Sequence, residues 1–178
     1  HLITAGAKDG KQYGLPYQLV FNMPIYNKTM FDELGLEKPQ DWESFLEVCE
    51  ALKQHGVIPI IFPAGDNGPG QFINPMVMNN APDEEIFIKL QNGEVKATDE
   101  WWVKTLSQIK ELNDKGYFGK DPLGTTQDAS APIMAQEKGA MIAMGSYMMA
   151  QVAAQNPEME IDILAPYTVP ESERVWDG

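Results

Sequence analysis

Cysteine is nearly missing from this chain: one residue, Cys49, among 178. No internal disulfide can form, and the helical spacing of Trp42, Phe45, Leu46, Cys49 and Leu52 reads Cys49 as a buried core thiol. Histidine is almost as scarce, with His1 and His55 isolated from each other. No His/Cys/Asp cluster has metal-ligand spacing, so neither a metal nor another cofactor is expected. No apolar run approaches the roughly 20 residues of a membrane-crossing helix. Positive charge is sparse: 13 basic residues stand against 26 acidic ones, a formal net charge of -13. Such a surface repels phosphate backbones and anionic lipid, which argues against nucleic acid as a partner. His1-Leu-Ile-Thr carries neither an initiator methionine nor a signal peptide. The expectation is a piece of a longer protein whose targeting segment lies upstream.

What is present suits one folded domain, with 43% hydrophobic and 10% aromatic residues. Tyr13 to Leu19 and Phe21 to Tyr26 read as two extended apolar strands. Lys28 to Leu34 reads as a short helix opened by Asn27 and stopped by Gly35. Asp41 caps a helix from Trp42 to His55, which Gly56 ends. Val57 to Phe62 fits a buried strand, followed by a loop from Ala64 to Gly70 and an apolar helix from Gln71 to Asn80. A short helix near Glu84 to Leu90 precedes the longest one, Glu100 to Lys115. On that helix Trp102, Leu106, Ile109 and Leu112 form the expected core stripe, leaving Trp101 at the rim or exposed. A helix near Gln127 to Gln136, a strand Ala140 to Met144, a helix Ser146 to Gln155 and a strand Ile161 to Ala165 complete the pattern. Alternating strands and helices imply an α/β fold with a small sheet covered by helices.

The chain offers little catalytic chemistry. Gly145-Ser146-Tyr147 lacks the flanking glycines of a nucleophile elbow, since Met144 and Met148 occupy those positions. The loop Gly65 to Gly70 lacks the Lys-Ser/Thr pair of a phosphate cradle. Asp66-Asn67-Gly68 lacks the downstream Glu of a calcium loop. Ser146 reads as a helix cap, or as a donor beside the flat face of Tyr147. Met141, Met144, Met148 and Met149 read as core packing, with an adaptable binding wall as the second reading. A glycosidase-like Asp/Glu pair remains the rival enzymatic reading, because sequence cannot supply the spacing between carboxylates.

One stretch is more specific. Gly14-Leu-Pro-Tyr17, Ile25-Tyr-Asn-Lys-Thr-Met-Phe-Asp-Glu-Leu-Gly-Leu36 and Pro39-Gln-Asp-Trp42 together resemble the extracellular solute-binding proteins of carbohydrate ABC transporters. Lys138-Gly-Ala-Met141 and Gly145-Ser-Tyr147 resemble a later motif of that family, with Met134 in place of its usual Phe and Tyr147 in place of its usual Trp. The resemblance implies one lobe of a two-lobe, periplasmic-binding-protein-like fold. Residues 1–13 would lead in from a first lobe, 14–167 would form the second lobe between hinge crossings, and 168–178 would lead back. It implies a binder rather than an enzyme, holding a sugar or oligosaccharide in the cleft between lobes. The protein would be a monomer, extracellular or periplasmic, anchored as a lipoprotein and partnered by membrane permease subunits. Ligand contacts would fall on Tyr17 and Gln18, on Asp66, Asn67 and Gln71, on Asp128, and on Ser146 and Tyr147. A polyol, peptide or osmolyte on the same fold is the remaining alternative.

Overall fold

The computed structural model describes residues 6–165 and 167–175. Parts of the expected lead-in (residues 1–5), return crossing (Pro166) and tail (residues 176–178) lie outside the described residues. The order is β1 (Ala7–Lys8), β2 (Lys11–Gln12), β3 (Ile25–Asn27), α1 (Lys28–Leu34), α2 (Trp42–Gln54), β4 (Ile58–Ile61) and α3 (Gly68–Asn80), then α4 (Ile86–Gln91), α5 (Glu100–Asp114), α6 (Gln127–Ala135), β5 (Gly139–Ile142), α7 (Met148–Gln155) and β6 (Ile161–Ile163). A 3-10 turn, Glu171–Glu173, follows.

Local chemistry accounts for the helix boundaries. The Asn27 side chain accepts from Met30 N–H, and Gly35 ends α1 at φ 65. Asp41 and Ser44 cap α2 reciprocally: Ser44 N–H reaches Asp41 Oδ1 at 2.9 Å, and Asp41 N–H reaches Ser44 Oγ at 3.1 Å.

Register sets which strand ends share one edge. The four-stranded sheet runs β4-β5-β3-β6, with β4 parallel to β5 and β3 antiparallel to both its neighbours. Ile61 pairs with Ile142, Ile142 with Ile25, and Ile25 with Ile163. That row lies at one edge of the sheet. The chain leaves β4, β5 and β6 there, and enters β3 there. Strand alternation divides the core. Tyr26, Ile60 and Met141 face α2, α3 and α5 through Phe45, Cys49, Leu52, Phe72, Met76 and Leu112. Ile25, Ile61 and Ile142 face α6 and α7 through Met134, Met144, Met148 and Val152. Each fully buried aliphatic or aromatic side chain contributes about 1.5–3 kcal/mol. Trp42 is half-buried on the first core, tilted against Phe45 and stacked with Tyr167, with its indole N–H on Glu111 Oε2 at 3.0 Å.

Four expectations change. Residues 13–24 form no strand, and Tyr13, Leu15 and Leu19 are exposed; their apolar pattern has no neighbouring strand to pair with among the described residues. Helix α3 starts at Gly68 rather than Gln71, because Pro69 fits its first turn. Ser146 is not the cap of α7; Tyr147 holds that position. On α5 the buried face is Trp101, Thr105, Gln108 and Leu112, and Leu106 is 48% exposed. The cause is polar. Asn80 at the end of α3 donates to Thr105 Oγ1 at 2.9 Å and to Gln108 Oε1 at 2.7 Å, and these bonds fix the rotation of α5. Trp101 then packs with Val77, Ala81 and Ile86. The methionines Met141, Met144 and Met148 are buried in the core.

Candidate ligand-binding wall

Three segments meet at the sheet edge. The loop after β4 runs along the loop before α6. Ala64 N–H reaches Pro122 O at 3.0 Å, and Gly65 N–H reaches Thr125 O at 3.0 Å. A Cβ on Gly65 would lie 2.9 Å from Thr125 O, so only glycine allows this approach. Asp66 completes the seam: its Oδ2 accepts Gln127 N–H at 2.7 Å and its Oδ1 accepts Gly68 N–H at 3.4 Å. Both donors are first residues of helices, where backbone N–H groups lack intrahelical partners and a carboxylate is favoured. Asp66 therefore uses each carboxylate oxygen to hold one helix start in the fold.

The third segment follows β5. Ser146 and Phe21 bond reciprocally, Ser146 N–H to Phe21 O at 2.8 Å and Phe21 N–H to Ser146 Oγ at 3.1 Å. This fastens the exposed segment before β3 to the start of α7. A Cβ on Gly145 would lie 2.9 Å from Phe21 O and 3.0 Å from Tyr147 Cε1, which reserves the position for glycine.

Tyr147 is half-buried, and its hydroxyl lies 2.9 Å from Gln71 Oε1, 3.4 Å from Gln127 Oε1 and 3.9 Å from Met144 Sδ. Burial raises the phenol above its ordinary value, opposed by the Gln71 hydrogen bond. The phenol is neutral at physiological pH.

Of the residues expected to touch ligand, the structure brings Gln71, Asp66, Ser146 and Tyr147 to one edge, with Gln127 bonded to both Asp66 and Tyr147. Asn67 is adjacent, exposed, and makes no capping bond for α3. Asp128 is exposed in the first turn of α6. Tyr17 is 99% exposed and Gln18 is exposed; among the described residues neither makes a hydrogen bond. The wall does not gather these two. Gln127 escaped the sequence reading, because a glutamine at a helix start carries no distinguishing pattern. A groove of about 640 Å³ lies elsewhere, beside Val57, Pro59 and Phe118 with Lys53, Lys120, Asp121 and Thr125 also in its lining, and none of the residues expected to touch ligand lines it.

The family model described as bacterial extracellular solute-binding protein matches residues 1–178. A multiple sugar-binding protein of Streptococcus mutans is 26% identical over 160 residues, covering 87% of this chain and 38% of that protein. The melibiose/raffinose/stachyose-binding protein MelE of Bacillus subtilis is 23% identical over 182 residues, covering 96% of this chain and 42% of that protein. A solved chitin oligosaccharide binding protein superposes with a TM-score of 0.82 at 23% identity, covering 96% of this chain and 44% of that one. The chain thus spans about two-fifths of the length of the curated relatives it matches. The match along its whole length places this chain in the bacterial extracellular solute-binding protein family.

Proposed function

We propose that this chain supplies one wall of a sugar-binding cleft in an extracellular or periplasmic receptor that delivers its ligand to an ABC importer. The receptor works as a monomer, is lipid-anchored in its complete form, and passes sugar to membrane permease subunits. Residues 14–167 form the second of two lobes, and the first lobe supplies the facing wall. The observation that carries this reading is the convergence of Gln71, Gln127 and Tyr147 at the strand edge, where α/β sheets bind ligands. An aromatic ring beside two neutral amides suits a sugar, whose CH faces stack and whose hydroxyls need paired donors and acceptors.

Hydrolysis has less support. A glycosidase needs one free acid and one free base flanking the bond. Asp66 holds a backbone N–H with each carboxylate oxygen, which ties it to the loop framework rather than leaving it a free acid or base. A thermal-shift panel of neutral saccharides, polyols and peptides on the two-lobe receptor tests the proposal. A ligand at about 100 times its Kd adds roughly 2.7 kcal/mol of stability. Stabilisation by saccharides supports the reading. A response confined to polyols or peptides changes the ligand, and turnover of chromogenic glycosides replaces the binder with an enzyme.

A further inference from the structure

A phenol carries one proton and donates one hydrogen bond. The Tyr147 hydroxyl nevertheless faces two amide groups, with Gln71 Oε1 at 2.9 Å and Gln127 Oε1 at 3.4 Å. Two carbonyl oxygens cannot both receive one proton. The shorter contact takes it. An oxygen at the longer position would meet a phenol lone pair, and turning that amide so that its NH2 faces the phenol converts repulsion into a hydrogen bond.

We propose that Tyr147, Gln71 and Gln127 form a proton-ordered triad in which Gln127 determines specificity. Gln71 accepts the phenolic proton and keeps its NH2 free. Gln127 donates to the phenol oxygen and keeps its carbonyl oxygen free. Both glutamines are only part-buried, so the free groups are available to a ligand. The wall then offers a donor and an acceptor on either side of one phenol. A pair of neighbouring hydroxyls, one accepting and one donating, satisfies both, so the ligand feature read here is a vicinal diol of a neutral sugar. This deepens the sugar-binding reading and rests on it.

The framework holds the order in place. Gln127 N–H is fixed by Asp66 Oδ2 at 2.7 Å, and Gln71 sits in the first turn of α3, which the same carboxylate helps to start through Gly68 N–H. Asp66 thus positions both glutamines through backbone bonds, without touching the phenol in the hydrogen-bond network. Burial favours the protonated phenol on which the ordering depends.

Two measurements test the triad. The first needs no sugar: side-chain amide resonances of the ¹⁵N-labelled chain, compared with Tyr147→Phe. The Gln127 NH2 should shift and exchange faster when the phenol is removed, and the Gln71 NH2 should change little. The reverse pattern, or two unaffected amides, overturns the ordering. The second is calorimetry of the two-lobe receptor with raffinose and its monodeoxy analogues. Gln127→Ala should weaken raffinose by about three- to tenfold, the loss of one neutral hydrogen bond. Deleting the hydroxyl that Gln127 reads should then cost nothing further in the variant. Fully additive losses for every deoxy analogue overturn the diol assignment. An intact amide pattern with no response to any saccharide counts against the sugar-binding reading and leaves the ordering standing.

Discussion

Asn79 holds Thr168 at two points: its Oδ1 accepts the Thr168 N–H at 2.9 Å and the Thr168 hydroxyl at 2.6 Å. Val169 N–H adds a third bond to the same oxygen at 3.2 Å. All three residues are buried. The segment that follows β6 is thereby fixed to the last turn of α3, the helix whose first turn carries Gln71. Asn79→Ala strands two backbone donors and a hydroxyl in the core and should cost about 3 kcal/mol. Thr168→Val removes one hydroxyl and should cost about 1 kcal/mol. Urea denaturation of the chain checks the ratio, and equal losses would contradict the three-bond geometry.

Gly145 should be intolerant of any side chain. A Cβ would meet Phe21 O at 2.9 Å, and a backbone carbonyl cannot yield as a flexible side chain can. Gly145→Ala should cost about 1–3 kcal/mol, the range for overpacking. The displacement should also reach Tyr147, whose ring is the second contact. Thermal denaturation reads the first effect and near-ultraviolet circular dichroism the second.

Asp66 and Asn67 are neighbours with different duties. Asp66 accepts from the first N–H groups of α3 and α6, so Asp66→Ala should cost about 1 kcal/mol, as for loss of a cap. Asn67 makes no capping bond, and Asn67→Ala should change stability by less than about 0.5 kcal/mol. Paired melting curves decide this; a larger loss at Asn67 would reverse the assignment.

Acid should act away from the wall. Lys38 lowers Asp162, a hydrogen bond from Tyr117 lowers Glu50, and Lys89 lowers Asp83. A carboxylate lowered in the folded state adds stability above its unfolded value, and loses it as pH falls through the folded value. The urea midpoint should be flat from about pH 6 to 8 and drop below about pH 4. The raised phenol of Tyr147 has the opposite sign: its contribution is present below its ordinary value and is lost as pH rises through the folded one. The wall should stay intact to about pH 9. A midpoint that falls between about pH 6 and 8 would contradict both assignments.

Helix boundaries were legible where the chemistry is local, as at Asn27, Gly35 and Asp41. The strands β4 and β5 were legible as short apolar runs between helices. The face of α5 was not, because Thr105 and Gln108 look solvent-facing until Asn80 is placed beside them. Residues 13–19 misled for the opposite reason: apolar alternation predicts a strand only when a neighbour exists to pair with. At the wall, Gln71 and Tyr147 were expected ligand contacts, but their junction through Gln127 was not read, since it depends on two helix starts, with Gln71 and Gln127 56 residues apart in sequence, meeting at one sheet edge. Ser146 was expected as a ligand donor; its reciprocal bonds to Phe21 show a structural duty that only the fold reveals.

The most direct test of the central claim is paired titration calorimetry with one sugar, raffinose or the best responder of the saccharide panel, against the two-lobe receptor and against this 178-residue chain. A ligand clamped by two walls loses about half its contacts when one wall is removed, while the entropic cost of capture remains. If the receptor binds near 1 μM, about -8.2 kcal/mol, the isolated wall should bind at roughly millimolar or weaker. That gap is the predicted result. Equal micromolar affinities would contradict the account and make this chain a self-sufficient binding domain.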